Sequence, residues 1–446
     1  PDPTGAVGPN HYVHAVNRVV KIFDKTGGLL AGPTLLGTFL GNGNSNGDPI
    51  VMYDHLADRW FVSQFQGTPD PNTANDLIIG VSTTPDPTGS YNVYTFPLDA
   101  FPDYPHYAVW HDAYYLTANK FFGNRIYAID RNTLLSGGAN PTIIGFNLPG
   151  VVSNPAAVYS PEPANLIGDD FDPNAPGYIV YLQDDQWNGI SNDHLKVWEL
   201  DINFANPGAS TVSQPLEIPT APFDSFLRQF GTGDIRQPGT TQRIDAISGV
   251  ISYAANYRRF PTYNSWVVTF NTDLGSIRPG VRWIELRNTD TTDWTIFQEG
   301  TYGPEDGEGR FMGSAAMDEE GNIGLAYNIG SVNTEVGLRY TGRLDGDPLG
   351  TMTFPESIIV NGNGVQTAGA NRNRFGDYTH LSMDPDGVTF WFTGEYMKEN
   401  AQWGTKIVNF KIQQDSVDIG PVKILSPESS AYLTSLETVE VDVKNF

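Results

Sequence analysis

Residues 382–391, SMDPDGVTFW, place an acidic turn containing a glycine between two runs of alternating apolar residues. Aspartate holds such a turn by accepting hydrogen bonds from backbone N–H groups, and glycine takes the positive φ that the turn requires. Alternation with a period of two on both sides is typical of β-strands. The stretch therefore predicts a β-hairpin.

The same order of strand, acidic turn and strand returns along the chain. Further copies lie at 3–17, 51–65, 107–119, 171–183, 243–256 and 315–328. Two more strand-like runs follow most copies, so four strands recur at intervals of roughly 50 to 70 residues, which is typical of β-propeller blades. We predict an all-β fold, a seven-bladed β-propeller with four-stranded antiparallel blades; six or eight blades and a pair of β-sandwiches are the alternatives.

Composition excludes several classes of function. The 446 residues include 51 acidic and 26 basic side chains, a formal charge of −25, which repels nucleic acids and anionic membranes. The chain has no cysteine, so it has no disulfide, thiolate metal site or cysteine nucleophile. No apolar run reaches the roughly 18 to 20 residues that span a bilayer, so membrane insertion is not expected.

The hairpin pattern ends near residue 416. We predict a propeller over 1–415, followed at 416–446 by a linker and the truncated start of an immunoglobulin-like module, or by a strand that closes the ring. The chain begins at PDPTGAVGPN without an initiator methionine or signal peptide, which suggests a trimmed, monomeric domain of a larger protein.

Four stretches, two of which overlap, also carry a family resemblance. SMDPDGVTFW resembles, with one extra residue, the Asp-box turn S-x-D-x-G-x-T-W of sialidase-like propellers, and MDEEGNIGLAY resembles a weaker copy. DPTGAVGPNHYVHAVN and FGDYTHLSMDPDGVTFWFTGEY resemble secreted propellers of Bacteroidetes-type bacteria, which are commonly type IX secretion cargo with immunoglobulin-like repeats. The resemblance implies a secreted or cell-surface protein.

In the sialidase-like family the Asp box holds a turn and does not bind substrate. Carried over, this makes Ser382, Asp384, Gly387 and Trp391 turn-holding residues. A sialidase site also requires an arginine triad, a Tyr–Glu nucleophile pair and an aspartate acid/base. The three arginines cannot be assigned here, so sialidase activity is not expected.

The starts of the innermost strands would surround the channel mouth, where propellers commonly bind ligands. Gly-Asp pairs place Asp48, Asp169 with Asp170, and Asp377 at such starts. These carboxylates would bind a ligand, either a divalent cation such as Ca²⁺ or a glycan that needs an acid and a base. Alternatively, each one hydrogen-bonds the backbone of a neighbouring blade.

Four residues near these starts form a candidate catalytic set: His106, Arg243, Tyr378 and His380. A lyase acting on uronic acids needs a cation at the carboxylate and a histidine or tyrosine base. Arg258, Arg259 and Arg374 are alternative cations, and Asp170 with Asp377 is an alternative hydrolase pair. The competing interpretation is that these side chains fill the channel by hydrogen bonding.

Two further sets complete the candidates. Asp384 and Asp386 in DPDG, with Asp318 in DEEG, are similar to acidic metal loops, although both stretches lack the D-x-D-x-D spacing of a strong match. Trp187 in DDQWNG is expected to be exposed and to stack on a sugar ring.

The sequence thus favours a secreted or cell-surface module that binds a polysaccharide or a surface glycoprotein through the channel mouth. The alternative is a glycan-active enzyme, a polysaccharide lyase or glycoside hydrolase, at the same mouth. Whether the chain is an enzyme stays open at this point.

Overall fold

The computed structural model describes residues 2–68, 75–367, 373–413, 419–426 and 440–445. The chain divides into two compact units, Pro1–Ile412 and Gln413–Phe446. Strands form nearly all of the regular structure, which confirms the all-β prediction. The helical elements in these ranges are α1 (Leu36–Phe39), α2 (Arg131–Ser136) and the 3₁₀ turns Pro207–Ala209 and Glu399–Ala401. None of these is long and apolar enough to cross a membrane.

The first three sheets each contain four antiparallel strands in chain order. Sheet 1 consists of β1 (Pro3–Val7), β2 (His11–Val16), β3 (Val19–Asp24) and β4 (Leu29–Leu35). Sheet 2 consists of β5 (Gly47–Asp54), β6 (Arg59–Gln66), β7 (Asn75–Ser82) and β8 (Tyr91–Leu98). Sheet 3 consists of β9 (Asp103–Val109), β10 (Ala113–Asn119), β11 (Ile126–Asp130) and β12 (Ile143–Phe146).

The middle of the chain is less regular. Sheet 4 consists of β13 (Glu162–Leu166), β14 (Gly177–Gln183), β15 (His194–Asp201), β16 (Thr211–Val212) and β17 (Leu216–Pro219). A separate hairpin follows, made of β18 (Ile235–Gln237) and β19 (Thr240–Ile244). Sheet 5 consists of β20 (Ala255–Arg259), β21 (Asn264–Asp273), β22 (Pro279–Asn288) and β23 (Thr295–Tyr302). Because β13 pairs in parallel with β20, sheets 4 and 5 form one continuous nine-stranded sheet.

Two sheets and a hairpin complete the described chain. Sheet 6 consists of β24 (Gly309–Met317), β25 (Ile323–Gly330), β26 (Gly337–Arg343) and β27 (Ser357–Val360). Sheet 7 consists of β28 (His380–Met383), β29 (Phe390–Lys398) and β30 (Gln402–Phe410). In the second unit, β31 (Ile419–Ser426) pairs antiparallel with β32 (Glu440–Asn445). The interpretation of this unit as an immunoglobulin-like start stays a prediction.

The first strands of the sheets occupy the centre of the first unit. β1, β5, β9, β13, β20, β24 and β28 lie beside one another in chain order, and β28 lies beside β1. They are mostly buried, as expected for strands covered on both faces. The number of blades, and four strands in each, stay predictions.

The hairpin predicted at 243–256 is wrong. β19 ends at Ile244, β20 begins at Ala255, and between them only Ile251 forms a bridge, to Phe270. A side chain replaces part of the missing strand pairing: Asn271 Nδ2 donates hydrogen bonds to the backbone carbonyls of Ala246 and Ile247. Of the hairpin predicted at 171–183, the structure contains only the second strand, β14. The strand that precedes it is β13, which lies before this range.

The hairpin of sheet 7 joins the end of the unit to its beginning. Gly387 has φ +80°, as the turn prediction requires, and Asp384 Oδ2 accepts a hydrogen bond from Trp391 Nε1 at 2.9 Å. The Trp391 ring stacks on Tyr12 of β2 with centroids 5.3 Å apart. Asp384 also forms an ion pair with Lys25, at 2.6 Å.

Replacing Trp391 with phenylalanine tests this junction. The substitution keeps an aromatic ring against Tyr12 but removes the donor to a charged carboxylate, a hydrogen bond that typically contributes about 1.5–3 kcal/mol. We expect the free energy of unfolding, measured in urea, to fall by that amount. Trp403→Phe removes a donor to the neutral amide oxygen of Gln366 at a partly exposed site and should cost less; equal losses would contradict the assigned role of Trp391.

Candidate functional site

Three of the four predicted catalytic residues meet, but inside the protein. His106 and Tyr378 have ring centroids 5.6 Å apart. The ring of Tyr253 lies between two histidines, with its centroid 5.3 Å from that of His106 and 4.8 Å from that of His380. His106, Tyr378 and His380 are each at most 3% exposed. The cavity beside them, lined by Tyr253, is about 10 Å³, room for one water molecule. A sugar residue does not fit there.

Arg243 does not join this set. It lies on β19, where its Nη1 donates to the carbonyl of Asp234 at 3.1 Å. The surface cavities that Arg243 lines include none of the other three predicted catalytic residues. The predicted quartet is therefore not assembled as one catalytic site.

Asp48 and Asp377 lie in the same interior region as Tyr378. Tyr378 Oη donates to Asp48 Oδ2 at 3.4 Å, and Arg374 forms an ion pair with Asp377. Burial raises the pKa of Asp48 well above its usual range, and the charges of Asp2 and other nearby carboxylates raise it further. Burial also raises the pKa of Asp377, to about 6, although Arg374 opposes the shift.

A second buried acid–base contact lies nearby, between His106 Nδ1 and Glu162. Burial raises the pKa of Glu162 well above its usual range and lowers that of His106 to about 3. At neutral pH the histidine is therefore uncharged, and burial favours the protonated form of the Glu162 carboxyl group. These residues form a buried polar core around the starts of the inner strands.

A larger cavity lies at the opposite ends of the inner strands. Asp48 is near the start of β5, whereas Met52 and Tyr53, near its end, line a cavity of about 270 Å³. The ends of β1, β13 and β20, Glu319, strand β28 with the predicted catalytic residue His380, and the β28–β29 turn form the rest of its wall. We call it the Arg258 cavity.

Arg258 is a buried cation in this cavity, whose lining also includes the carboxylates of Asp169, Asp170, Glu319 and Asp384. Its side chain is only 6% exposed, and its Nε donates to the carbonyl of Met317 at 3.0 Å. Among the described residues, its two Nη atoms have no hydrogen-bond or ion-pair partner. Burial lowers the pKa of Arg258, and the charges of Asp318, Glu319 and Asp169 oppose this shift. A guanidinium stays charged in proteins, so within the described residues the cavity contains a cation that has carboxylates nearby but no direct ion-pair partner.

Gly168 makes room for this guanidinium. It has φ +81°, and a Cβ at this position would lie 2.6 Å from Arg258 Nη1. The sequence motif IGDD thus acts through its glycine, which contacts Arg258, while Asp169 and Asp170 are exposed on the cavity rim.

His55 and Tyr53 complete the wall beside Arg258. Burial lowers the pKa of His55, so the imidazole is neutral at pH 7, and its Nε2 has no hydrogen-bond partner in the described chain. Tyr53 Oη donates to Asp58 Oδ1 at 2.6 Å. The sequence interpretation missed His55 because it considered the starts of the inner strands; His55 directly follows the end of β5, in YDHLADRW.

The predicted hydrolase pair is not formed. Asp170 lies on the rim of the Arg258 cavity, 3.7 Å from Arg259 Nε, whereas Asp377 lies in the polar core at the other end. Arg259 is neutralised by two hydrogen bonds to Asp290, at 2.6 and 2.8 Å. Of the alternative cations named from the sequence, Arg258 alone faces the cavity without a carboxylate partner in the described residues.

The predicted metal ligands hold turns. Besides Trp391, Asp384 accepts from the backbone N–H of Asp386 at 3.0 Å. Asp386 accepts from Thr389, and Asp318 from Asn322. Each carboxylate therefore accepts hydrogen bonds within its own hairpin, and these bonds stabilise the turn.

Another acidic group has the spacing of metal ligands. Asp184, Asp185 and Asp193 bring one carboxylate oxygen each within 4.8 Å of one another. Asp184 accepts from the N–H and hydroxyl of Ser225, and Asp193 from the N–H of Asp185. A bound Ca²⁺ stays a prediction.

Trp187 is not the exposed platform that the sequence predicted. Its side chain is 4% exposed and packs against Tyr181, with ring centroids 5.9 Å apart. The loop containing DDQWNG turns the indole inward, where burial of its large apolar surface stabilises the fold.

Comparison with known proteins identifies no family. No family model matches the chain, and no curated protein matches it significantly. A solved PL25 ulvan lyase bound to -[GlcA(1-4)Rha3S]- is similar, with a TM-score of 0.46, 12% identity and 90% of each chain covered. A protein of unknown function from Dyadobacter fermentans has a TM-score of 0.41 and 12% identity, covering 82% of this chain and 94% of its own.

A third similar structure is the GH93 α-L-arabinofuranosidase of Fusarium graminearum in complex with arabinobiose. Its TM-score is 0.37 at 11% identity, over 70% of this chain and 81% of that enzyme. With TM-scores below 0.5, these similarities assign neither an activity nor a substrate.

Glu395 of β29, a buried carboxyl group whose pKa is also raised by the charge of Asp377 in the polar core, predicts a pH dependence of stability. Burial, then the charge of Asp2, raises the pKa of Glu395 to about 8. The folded state therefore keeps a proton that the unfolded chain loses near pH 4.3, so stability falls as pH rises towards 8. Histidines with lowered pKa act in the opposite direction, but only below about pH 6.5.

Between about pH 6.5 and about pH 8 we expect the free energy of unfolding to fall by about 1–2 kcal/mol for this one proton. The Glu395→Gln variant should show a smaller fall when urea unfolding is measured at both ends of this range. Glu320→Gln, at an exposed carboxylate, should keep the wild-type slope. Equal slopes in all three proteins would contradict the assignment.

Proposed function

We propose that the protein is a secreted or cell-surface glycan-binding module, and that the Arg258 cavity binds a carboxylated sugar of a polysaccharide. The observation that carries this proposal is the buried guanidinium of Arg258, whose Nη atoms face the cavity without a partner in the described residues. A buried charge is costly unless it is paired. An anionic ligand provides the missing pair.

The chemistry of the anion follows from the shape of the donor. A guanidinium offers parallel N–H groups that match the two oxygens of a carboxylate. Because Nε already donates a hydrogen bond to the carbonyl of Met317, the two Nη atoms remain as the pair of donors for a ligand carboxylate.

The surroundings of Arg258 favour a sugar as the carrier of the carboxylate. Asp169, Asp170 and Glu319 line the same cavity and are exposed, so they can accept hydrogen bonds from hydroxyl groups. A ligand with only negative groups would be repelled by them. A uronic acid combines one carboxylate with several hydroxyl donors and so meets both requirements.

The architecture belongs to the same proposal. We interpret sheets 1 to 7 as the blades of a seven-bladed β-propeller, with β28–β29 as an Asp-box-like hairpin; Asp384, Gly387 and Trp391 support this by their contacts. Type IX secretion, an immunoglobulin-like continuation and a monomeric state remain predictions from the sequence resemblance.

Titration calorimetry with a polyuronate and its carboxyl-reduced counterpart tests the binding site. The two polymers share linkage and hydroxyl groups, so wild-type protein should bind only the first. Arg258→Gln should weaken binding at least about tenfold, roughly 1.4 kcal/mol, and Gly168→Ala should also weaken it by displacing the guanidinium.

Two controls make this result specific. Arg258→Lys keeps the charge without the fork and should recover part of the affinity, whereas Lys406→Gln, at an exposed residue of sheet 7, should bind as wild type does. Equal binding of the carboxyl-reduced polymer would overturn the proposal.

A second function, polysaccharide lyase, is favoured by one further observation: a neutral imidazole, His55, lines the cavity that contains Arg258. In β-elimination the C5 proton of a uronic acid passes to a base, the C4–O bond breaks with its electron pair on the leaving oxygen, and a C4=C5 double bond forms. Arg258 would neutralise the carboxylate and His55 would accept the proton.

The unsaturated product absorbs ultraviolet light, so turnover of polyuronates can be followed directly. If the lyase function is correct, His55→Gln should reduce the rate at least about a hundredfold, the usual contribution of a general base, while leaving binding by calorimetry within a few-fold. Binding without any absorbance change in wild-type protein would leave the binding module as the function and reject the lyase.

A further inference from the structure

A cavity whose charged lining residues are mainly cations lies on a different part of the first unit. The β18–β19 hairpin carries Arg236 on one strand and Arg243 on the other, and both line a cavity of about 490 Å³. Arg278, on the loop before β22, lines the same cavity. We call this the hairpin cavity; its volume is within the range of small-molecule sites.

The positive charges in this cavity are incompletely neutralised. Within the described residues, neither Arg236 nor Arg243 forms an ion pair; Arg243 donates only to a backbone carbonyl. Among the described residues, the one carboxylate that lines the cavity is Glu305, which pairs with Arg278 at 3.0 Å. In this described lining three cations therefore face one anion, in a chain whose formal charge is −25.

Arg236 and Arg243 are also placed unfavourably with respect to each other. They lie on the two paired strands of the hairpin, whose register is irregular between Ile235 and Gln237, where Arg236 lies. Burial lowers the pKa of Arg243, and the charges of Arg228 and Arg236 lower it further. The isolated protein thus has a repulsion that a bound anion would remove.

The loop that forms another side of the cavity is strained. Ser276 and Ile277 have φ of +62° and +59°, a conformation rare for a β-branched residue such as isoleucine. The loop is held there because Asp273 accepts hydrogen bonds from the N–H groups of Gly275 and Arg278, at 2.8 and 3.1 Å. Retained strain of this kind concentrates at ligand sites.

From these contacts we infer that the hairpin cavity binds a sulfate or phosphate ester, with Arg236 and Arg243 as its main ligands. A carboxylate has two oxygens, which one guanidinium fork occupies, whereas such an ester offers three terminal oxygens to two forks. That a polysaccharide carries the ester rests on the proposed function. The acidic remainder of the surface repels a polyanion, so this cationic patch sets where it approaches.

The test uses a sulfated galactan, which has no carboxylates, and the same polymer after chemical desulfation. By calorimetry, wild-type protein should bind the sulfated form at least about tenfold more tightly than the desulfated form. Arg236→Gln/Arg243→Gln should lose this preference, whereas Lys398→Gln/Lys406→Gln, which removes two exposed charges from sheet 7, should keep it. A phosphorylated galactan replaces the sulfated one in a parallel arm and distinguishes the two esters.

Arg258→Gln separates this inference from the proposed function. It should retain binding of the sulfated galactan while losing binding of the polyuronate; the Arg236→Gln/Arg243→Gln protein should show the reverse. The inference is overturned if neither ester-bearing polymer is preferred over the desulfated one, if the double variant keeps the preference, or if Arg258→Gln abolishes it. Circular dichroism of each variant establishes that it is folded.

Discussion

The carboxylate of Asp384 is the group on which the last sheet and its junction with the first sheet both depend. Within its own hairpin it accepts hydrogen bonds from Trp391 Nε1 and from the N–H of Asp386. It also binds Lys25, which is 359 positions away in the sequence. Closing so long a loop costs conformational entropy, and Trp391 adds a stacking contact with Tyr12 to offset it. Because Asp384 also lines the Arg258 cavity, the same turn supports fold and site.

The sequence predicted most central hairpins correctly because their pattern is local. Alternating apolar residues around an acidic turn are sufficient for β5–β6, β9–β10, β24–β25 and β28–β29; the last two turns also contain a glycine. The pattern was misleading at 243–256, where alternation continues but Asn271, from a distant strand, binds the backbone carbonyls in place of a partner strand. Trp187 was misjudged for a similar reason: a polar context predicts a loop, but only tertiary packing decides which way an indole in that loop points.

The candidate site was harder to predict than the fold. Of the predicted set, His106, Tyr378 and His380 lie close together, since residues near equivalent strand starts converge, whereas Arg243 lies elsewhere. Their burial could not be read from the residue types, because it depends on how completely large rings from neighbouring strands fill the centre. Arg258 was named only as an alternative; what distinguishes it from Arg259 is the partner each one finds, and Asp290 is 31 positions from Arg259.

The parallel pairing of β13 with β20 has a consequence for the evolution of this cavity. The pairing runs from Ala164 opposite Ala255 to Leu166 opposite Tyr257, and Ile167 N–H extends it with a 2.8 Å bond to Tyr257. Gly168 follows Ile167, and Arg258 follows Tyr257 on β20. The backbone hydrogen bonds between these two segments therefore fix the separation of Gly168 and Arg258. A ligand meets a preorganised partner and loses little entropy in ordering it. New specificities would therefore arise by exchanging rim side chains, with the underlying frame unchanged.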